Sequence, residues 1–296
     1  MRKKTFTRAG GLVWVVPALL LVSVFIYYPI VETVRLSFFH WNAFSPTPRF
    51  VGLDNYREAA DDPIFWRALR NNVGYAVVSV ICQVGLSLAL AATLEELVGR
   101  RLRSALRTVY FIPAAVSITV AGMLFRFLYD PNIGLVNRFL DTIGLGSLQH
   151  AWLGESATAI WAIIAMSQWQ SMGYTAVLFM VAIQKIPREL YEAAQVDGAG
   201  RIRSFFTITV PMVREMTTLM VILTVSGAFL VFNEVMVTTG GGPNNSSQVL
   251  GTWLYRSAFL NDDMGYASAI ATVILLITVL AAAAQLLYAK HRRVES

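Results

Sequence analysis

Long charge-free apolar runs alternate with short polar segments along this chain, at about Ala9–Val31, Val73–Leu94, Thr108–Phe125, Ser156–Gln184, Met216–Asn233 and Met264–Ala289. A helix needs roughly 20 apolar residues to cross a hydrocarbon core, with a tolerance of a few either way. The pattern therefore predicts six membrane-spanning helices in an all-α protein. The third and fifth runs are the shortest and stop at Arg126 and Glu234, charges that can snorkel from a span end.

The polar segments differ in character. Glu32–Asn72 mixes charge with aromatic residues (Phe38, Phe39, Trp41, Tyr56, Phe65, Trp66), which predicts packed surface structure, too short for a domain of its own. Tyr129–Glu155 carries turn signals at Asp130–Pro131–Asn132 and Gly144–Leu145–Gly146. Between the fourth and fifth runs, 185–215 is predicted to form a helix-turn-helix. Pro187 opens a short helix over Arg188–Val196, Asp197–Gly198–Ala199–Gly200 ends it, and a second helix from Arg201 stops at Pro211. The implied organisation is a tail, first span and external loop over 1–72, a five-helix core over 73–289, and a tail over 290–296.

Composition strengthens this picture: 56% of residues are hydrophobic and 14% charged, against about a quarter charged in soluble domains. A net charge of +6 suggests nucleic acid only when basic residues share one soluble face, and here they are dispersed between apolar runs. Their distribution predicts orientation instead. With the N-terminus inside, 16 of the 24 Lys and Arg fall on the cytoplasmic side, for +9 inside and −3 outside. Both termini are then cytoplasmic. The basic start followed by an apolar run resembles a secretory signal, but Tyr27–Tyr28–Pro29–Ile30 offers no small-residue cleavage site, so the first helix is expected to stay. Cys82 is the single cysteine, so no intrachain disulfide can form.

Candidate chemistry is sparse. His40, His150 and His291 lie in separate segments, and neither a metal site nor a nucleophile–His–acid set is indicated. No phosphate-cradling glycine loop precedes any of the lysines Lys3, Lys4, Lys185 and Lys290, so ATP would have to bind elsewhere. The densest intramembrane polar stretch is Ser167–Tyr174. Within it Gln170, Ser171 and Tyr174 lie near one helical face, suited either to sugar hydroxyls and rings or to bonding neighbouring helices. Thr224, Gly227, Ala228 and Val231 share a face of the fifth span and are mostly small, so they shape a cavity more readily than they choose a ligand. Gly240–Gly241–Gly242–Pro243, taken on physics alone, is a flexible outer turn. The 185–215 loop has two readings, an amphipathic element resting on lipid headgroups or a docking knob. Ala193 and Ala194 permit close approach, Glu192 offers an acceptor, and the glycines set a tight elbow.

That loop resembles the signature of membrane subunits of ATP-binding-cassette importers: Glu-Ala-Ala, three residues, Gly, about nine residues, then Ile-x-x-Pro. It stands here as Glu192–Ala193–Ala194–Gln195–Val196–Asp197–Gly198 followed by Ile208–Thr209–Val210–Pro211. Val51–Gly52–Leu53–Asp54–Asn55–Tyr56, Thr239–Gly240–Gly241–Gly242–Pro243 and Gly265–Tyr266–Ala267–Ser268–Ala269 add matches to the carbohydrate-uptake branch, the maltose-type subunit with the Gly-Gly-Pro loop. The resemblance implies a type I importer permease in a bacterial plasma membrane. Its implied partners are a second, homologous permease, two ATP-binding subunits, an extracytoplasmic substrate-binding protein, membrane lipid and a sugar. It implies no cofactor and no nucleic acid. Residues Glu192, Ala193, Ala194, Asp197 and Gly198 would couple to the ATPase. Gly241, Gly242 and Pro243 would contact the binding protein. Gln170, Ser171, Tyr174, Thr224, Gly227, Ala228 and Val231 match, by ungapped counting, positions lining the sugar site. The maltose subunit has extra spans and a large external domain, whereas this chain has the minimal six. Glycerol phosphate is carried by a similar branch. An ion-coupled secondary transporter would usually need charged residues inside the spans, which contain none, and a membrane enzyme would need a reactive constellation.

Overall fold

The computed structural model describes residues 8–42, 44, 47–97 and 99–294, so Arg2, Lys3 and Lys4 of the basic tail lie outside it. Its contacts divide into two units, 1–62 with Leu254–Val273, and Pro63–Trp253 with 274–296.

The first unit begins with α1, residues 8–36, which widens into a π turn at Ser23–Tyr27. Nothing in the apolar window of Val15–Leu36 is buried, as expected of a helix whose solvent is lipid or a partner. A small hairpin pairs β1 (Phe39–His40) with β2 (Arg49–Phe50), and α2 (Asp54–Asp61) follows. Asn55 locks this corner by donating its amide to the carbonyls of Ser37, at 2.8 Å, and Phe39, at 3.0 Å. The Tyr56 and Ser37 hydroxyls meet at 2.6 Å. Gly52 sits at φ +61°, and a Cβ on Gly265 would strike the Phe39 carbonyl. The Tyr266 hydroxyl donates to the Asp62 carboxylate at 2.6 Å. Two motifs some 200 residues apart in sequence thus build one corner.

The second unit holds α3 (Pro63–Glu96), α4 (Arg100–Ala115), α5 (Ile118–Leu128), α6 (Leu135–Thr142), α7 (Ala159–Ile183), α8 (Arg188–Val196), α9 (Arg201–Met212), α10 (Arg214–Phe229) and α11 (Asn233–Thr238). After it come α12, residues 250–260, and α13 (Met264–Val294). The central element is α7, packed against α3, α4 and α10, with Ile163, Ile164, Met166, Phe179 and Met180 fully buried. Its Ser and Gln residues are accommodated because their surroundings are protein. Gln168 donates to the Ser79 hydroxyl at 3.1 Å and accepts from Gln83 at 3.0 Å, and Ser87 donates to the Met172 carbonyl at 2.9 Å. Gln83 lies in a π turn of α3, Val80–Leu86, and Ser87 follows it. These bonds satisfy polar groups that lipid could not.

Among the described residues, three uninterrupted helices are long and apolar enough to cross a membrane: Val15–Leu36, Pro63–Glu96 and Met264–Leu287. Two more candidates are bent pairs. The predicted third span is no straight helix, since α4 and α5 meet at 96° across the break at Val116–Ser117. Pro113 removes a backbone donor near that break, and Val116 and Ser117 are extended. The predicted fifth span is α10, which leaves α9 at 74° after Met212. With α7, whose 25 charge-free residues suffice in length, the predicted six runs all map onto helices.

Candidate coupling loop and transport path

The 185–215 segment folds as the anticipated pair of helices, α8 and α9, joined by an elbow in which Gly198 takes φ +77°. Glycine is the residue that adopts this conformation without strain. The Tyr191 hydroxyl lies 2.8 Å from the Thr209 hydroxyl and closes the pair. Tyr191, Phe205 and Ile208 then pack onto a buried cluster that includes Val84, Leu88, Phe179, Ile183 and Val213. The opposite surface is bare: Glu192, Ala193, Asp197 and Gly198 are exposed and Ala194 is half-buried. Val196 is 88% and Ile202 78% exposed. Apolar side chains displayed around a carboxylate, on helices held firmly from beneath, mark an interaction surface.

Beneath the loop lies a groove of about 890 Å³ bordered by α3, α4, α7, α8 and α9. Sequence reasoning missed its central contact. Glu95 forms an ion pair with Arg103, whose Nη2 also donates to the Glu95 carbonyl at 2.7 Å, and Glu95 accepts from the Gln184 amide at 2.8 Å. The end of α3 and the start of α4 are thereby tied to the residue that ends α7. The available signal was a pair of carboxylates, Glu95 and Glu96, followed within a few residues by four arginines across a turn.

The predicted path residues separate. Gln170 donates its amide to the Val116 carbonyl at 2.6 Å, capping the break between α4 and α5. Ser171 is half-buried, and its carbonyl accepts from Thr175 at 3.3 Å. Tyr174 is exposed, with its ring 6.4 Å from that of Phe111. Thr224 and Ala228 on α10, and Val231 just beyond it, are buried, whereas Gly227 is exposed, with no atom within 4 Å of where a Cβ would sit. None of these seven residues lines the 890 Å³ groove. Because the Gln170 amide holds a carbonyl that has no helical donor, Gln170→Leu is expected to lower the maximal transport rate about tenfold for every substrate without changing KM, given the cost of leaving a half-buried carbonyl unpaired. Transport kinetics on two sugars check this; a KM change confined to one sugar would instead make Gln170 a ligand.

The glycine loop is fastened, which overrides the flexible turn preferred on physics alone. Gly240, Gly241, Asn244 and Asn245 all have positive φ, and the Gly242–Pro243 peptide is cis. The Gln248 side chain fills the space where Gly241 would carry a Cβ. Gly241 is buried, and Gly242 and Pro243 are half-buried. From α3, Arg67 donates to the Asn244 carbonyl at 3.0 Å, and Asn71 donates to the carbonyls of Ser246 and Gln248 at 2.8 and 2.7 Å. Asn72, fully buried, donates to the Ala228 carbonyl at 2.6 Å and accepts from the Leu250 N–H at 2.8 Å. Asn72→Ala would leave two buried backbone groups unpaired, at about 1–3 kcal/mol each. Faster hydrogen exchange at Leu250, with α8 unaffected, is the expected readout.

The family of binding-protein-dependent transport system inner membrane components matches residues 64–294. The chain belongs to that family. Among curated relatives, this permease is 52% identical over 282 residues to the probable ABC transporter permease YurN of Bacillus subtilis, covering 95% of this chain and 96% of that one. It is 36% identical to the diacetylchitobiose uptake permease NgcF of Streptomyces coelicolor, covering 95% and 83%. A crystal structure of a bacterial alginate ABC transporter, in complex with a periplasmic protein bound to alginate pentasaccharide, superposes with a TM-score of 0.80 at 22% identity, covering 95% of this permease and 93% of that chain. At that identity the likeness establishes the fold alone; the family match and the relatives make the chain an inner-membrane ABC importer permease.

Proposed function

We propose that this permease forms half of the pore of a carbohydrate importer. A second permease completes the pore, an external binding protein delivers an oligosaccharide, and ATP is hydrolysed on partner subunits docked against α8. The observation that carries this reading is the bare face of α8 and α9, where Glu192 stands among exposed apolar side chains on a loop anchored from within. The relatives' names support the cargo, since NgcF is a diacetylchitobiose permease and the structural neighbour an alginate transporter. The distribution of Lys and Arg supports cytoplasmic termini.

On this reading the path runs between the two permeases. Tyr174 and Gly227, exposed on the single chain, face it, with Ser171 beside them and Thr224, Ala228 and Val231 shaping the wall behind. Gly241, Gly242 and Pro243 present a rigid loop to the binding protein. ATP-driven closure of the partner subunits moves α8, and the Glu95, Arg103 and Gln184 contacts carry that movement into α3, α4 and α7.

The test is oligosaccharide uptake into vesicles containing the assembled complex, with ion gradients collapsed by ionophores. Uptake that needs internal ATP and the binding protein is expected. Uptake driven by an ion gradient without ATP would overturn the proposal.

A further inference from the structure

At the end of the second unit opposite α8, a second cavity of about 770 Å³ opens between the first turns of α3, the start of α7 and the glycine loop. Its volume lies in the range of small-molecule sites, and its chemistry is divided. Ile160, Trp161 and Ile164 supply an apolar wall, while Arg67 and Arg70 stand at the rim three residues apart on one face of α3. Trp161 lines the cavity and is 54% exposed. No carboxylate lines the cavity. Among the described residues, neither guanidinium has a carboxylate partner, and the one hydrogen bond that either makes is from Arg67 to the Asn244 carbonyl.

We infer that this cavity is a binding site for an anionic phospholipid, with the headgroup phosphate between Arg67 and Arg70 and the first methylenes of an acyl chain against Ile160, Trp161 and Ile164. Three observations converge on this occupant. Two uncompensated guanidinium groups call for an anion, and a planar fork suits a phosphate oxygen pair. The wall beside them is apolar, which a free phosphate would not use. The height is also right: the charge-free run of α3 begins at Val73, so Arg70 stands about 5 Å beyond it along the axis, where hydrocarbon gives way to headgroups and tryptophan collects. The same Arg67 holds the glycine loop, so an occupied site would brace that loop from the membrane side. The inference concerns a lipid site and does not depend on which substrate is carried.

The purified full-length chain, titrated in detergent with phosphatidylglycerol or phosphatidylcholine and read by native mass spectrometry, tests it. Phosphatidylglycerol should be retained in preference, and Arg70→Gln and the Arg67→Gln/Arg70→Gln double variant should each weaken it, by about fivefold per arginine. Arg138→Gln, an equal loss of charge on the exposed helix α6, should not. Equal retention of the two lipids, or an undiminished preference in the double variant, would overturn the assignment. Displacement of phosphatidylglycerol by millimolar inorganic phosphate would overturn it too, by reassigning the pocket to a free anion.

Discussion

Gly198→Val is expected to abolish transport coupling while leaving the protein inserted and folded, and Gly198→Asn to retain most of it. No atom lies within 4 Å of where a Cβ on Gly198 would sit, so the substitution creates no clash. The penalty arises entirely from φ +77°, a conformation that a β-branched residue tolerates worst and asparagine tolerates best after glycine. Strain of ~1–3 kcal/mol is relieved most easily by opening the elbow, which is exposed and held on only one side. Relief there rotates α8 and moves Glu192 and Ala193 away from a docked partner. We expect stimulated ATP hydrolysis by the reconstituted complex to fall about tenfold or more, with Glu192→Lys reproducing the loss by reversing charge on the same face. Equal activity in Gly198→Val and wild type would return the loop to a passive element resting on headgroups.

A second large effect is expected at Gly173, this time on stability. A Cβ there would fall on the backbone carbonyl of Tyr110, so α4 and α7 pack with main chain against main chain. Backbone atoms cannot rotate aside as a side chain can, so Gly173→Ala must push the helices apart at about 1–3 kcal/mol or more. The adjacent break at Val116 and its Gln170 cap would loosen with them. A fall of several degrees in the unfolding midpoint in detergent is the expected result. Gly227→Leu is the informative counterpart: the site is open, so stability should hold while oligosaccharide uptake falls. Unchanged uptake in Gly227→Leu would remove that face of α10 from the path.

Much of the architecture was legible along the chain because the bilayer imposes a strong rule. Charge-free runs near 20 residues must be helices, and all six predicted runs correspond to helical segments. The helix pair over 185–215 was equally readable, since Pro187, the glycines and Pro211 act locally on the backbone. The break in the third span was not. Pro113 is a weak local signal, and whether the helix breaks beyond it depends on what pairs the carbonyls left open there; Gln170 pairs that of Val116 from 54 residues away. The glycine loop shows the same limit. Its φ values follow from its glycines and asparagines, but its rigidity comes from Arg67, Asn71 and Asn72, about 175 residues earlier.

By itself, then, the sequence determined that this protein spans a membrane, where its helices run, which family its motifs join, and that its 185–215 loop folds as two short helices. Each of these rests on hydrophobicity, backbone preference or spacing, which are properties of neighbouring residues. Only the tertiary structure decided that Gln170 caps a broken helix, that Glu95 links three helices beneath the 185–215 loop, and that Arg67 and Arg70 share a cavity with Trp161. Those are hydrogen bonds, charge pairs and packing between distant segments, and their partners are chosen by the fold.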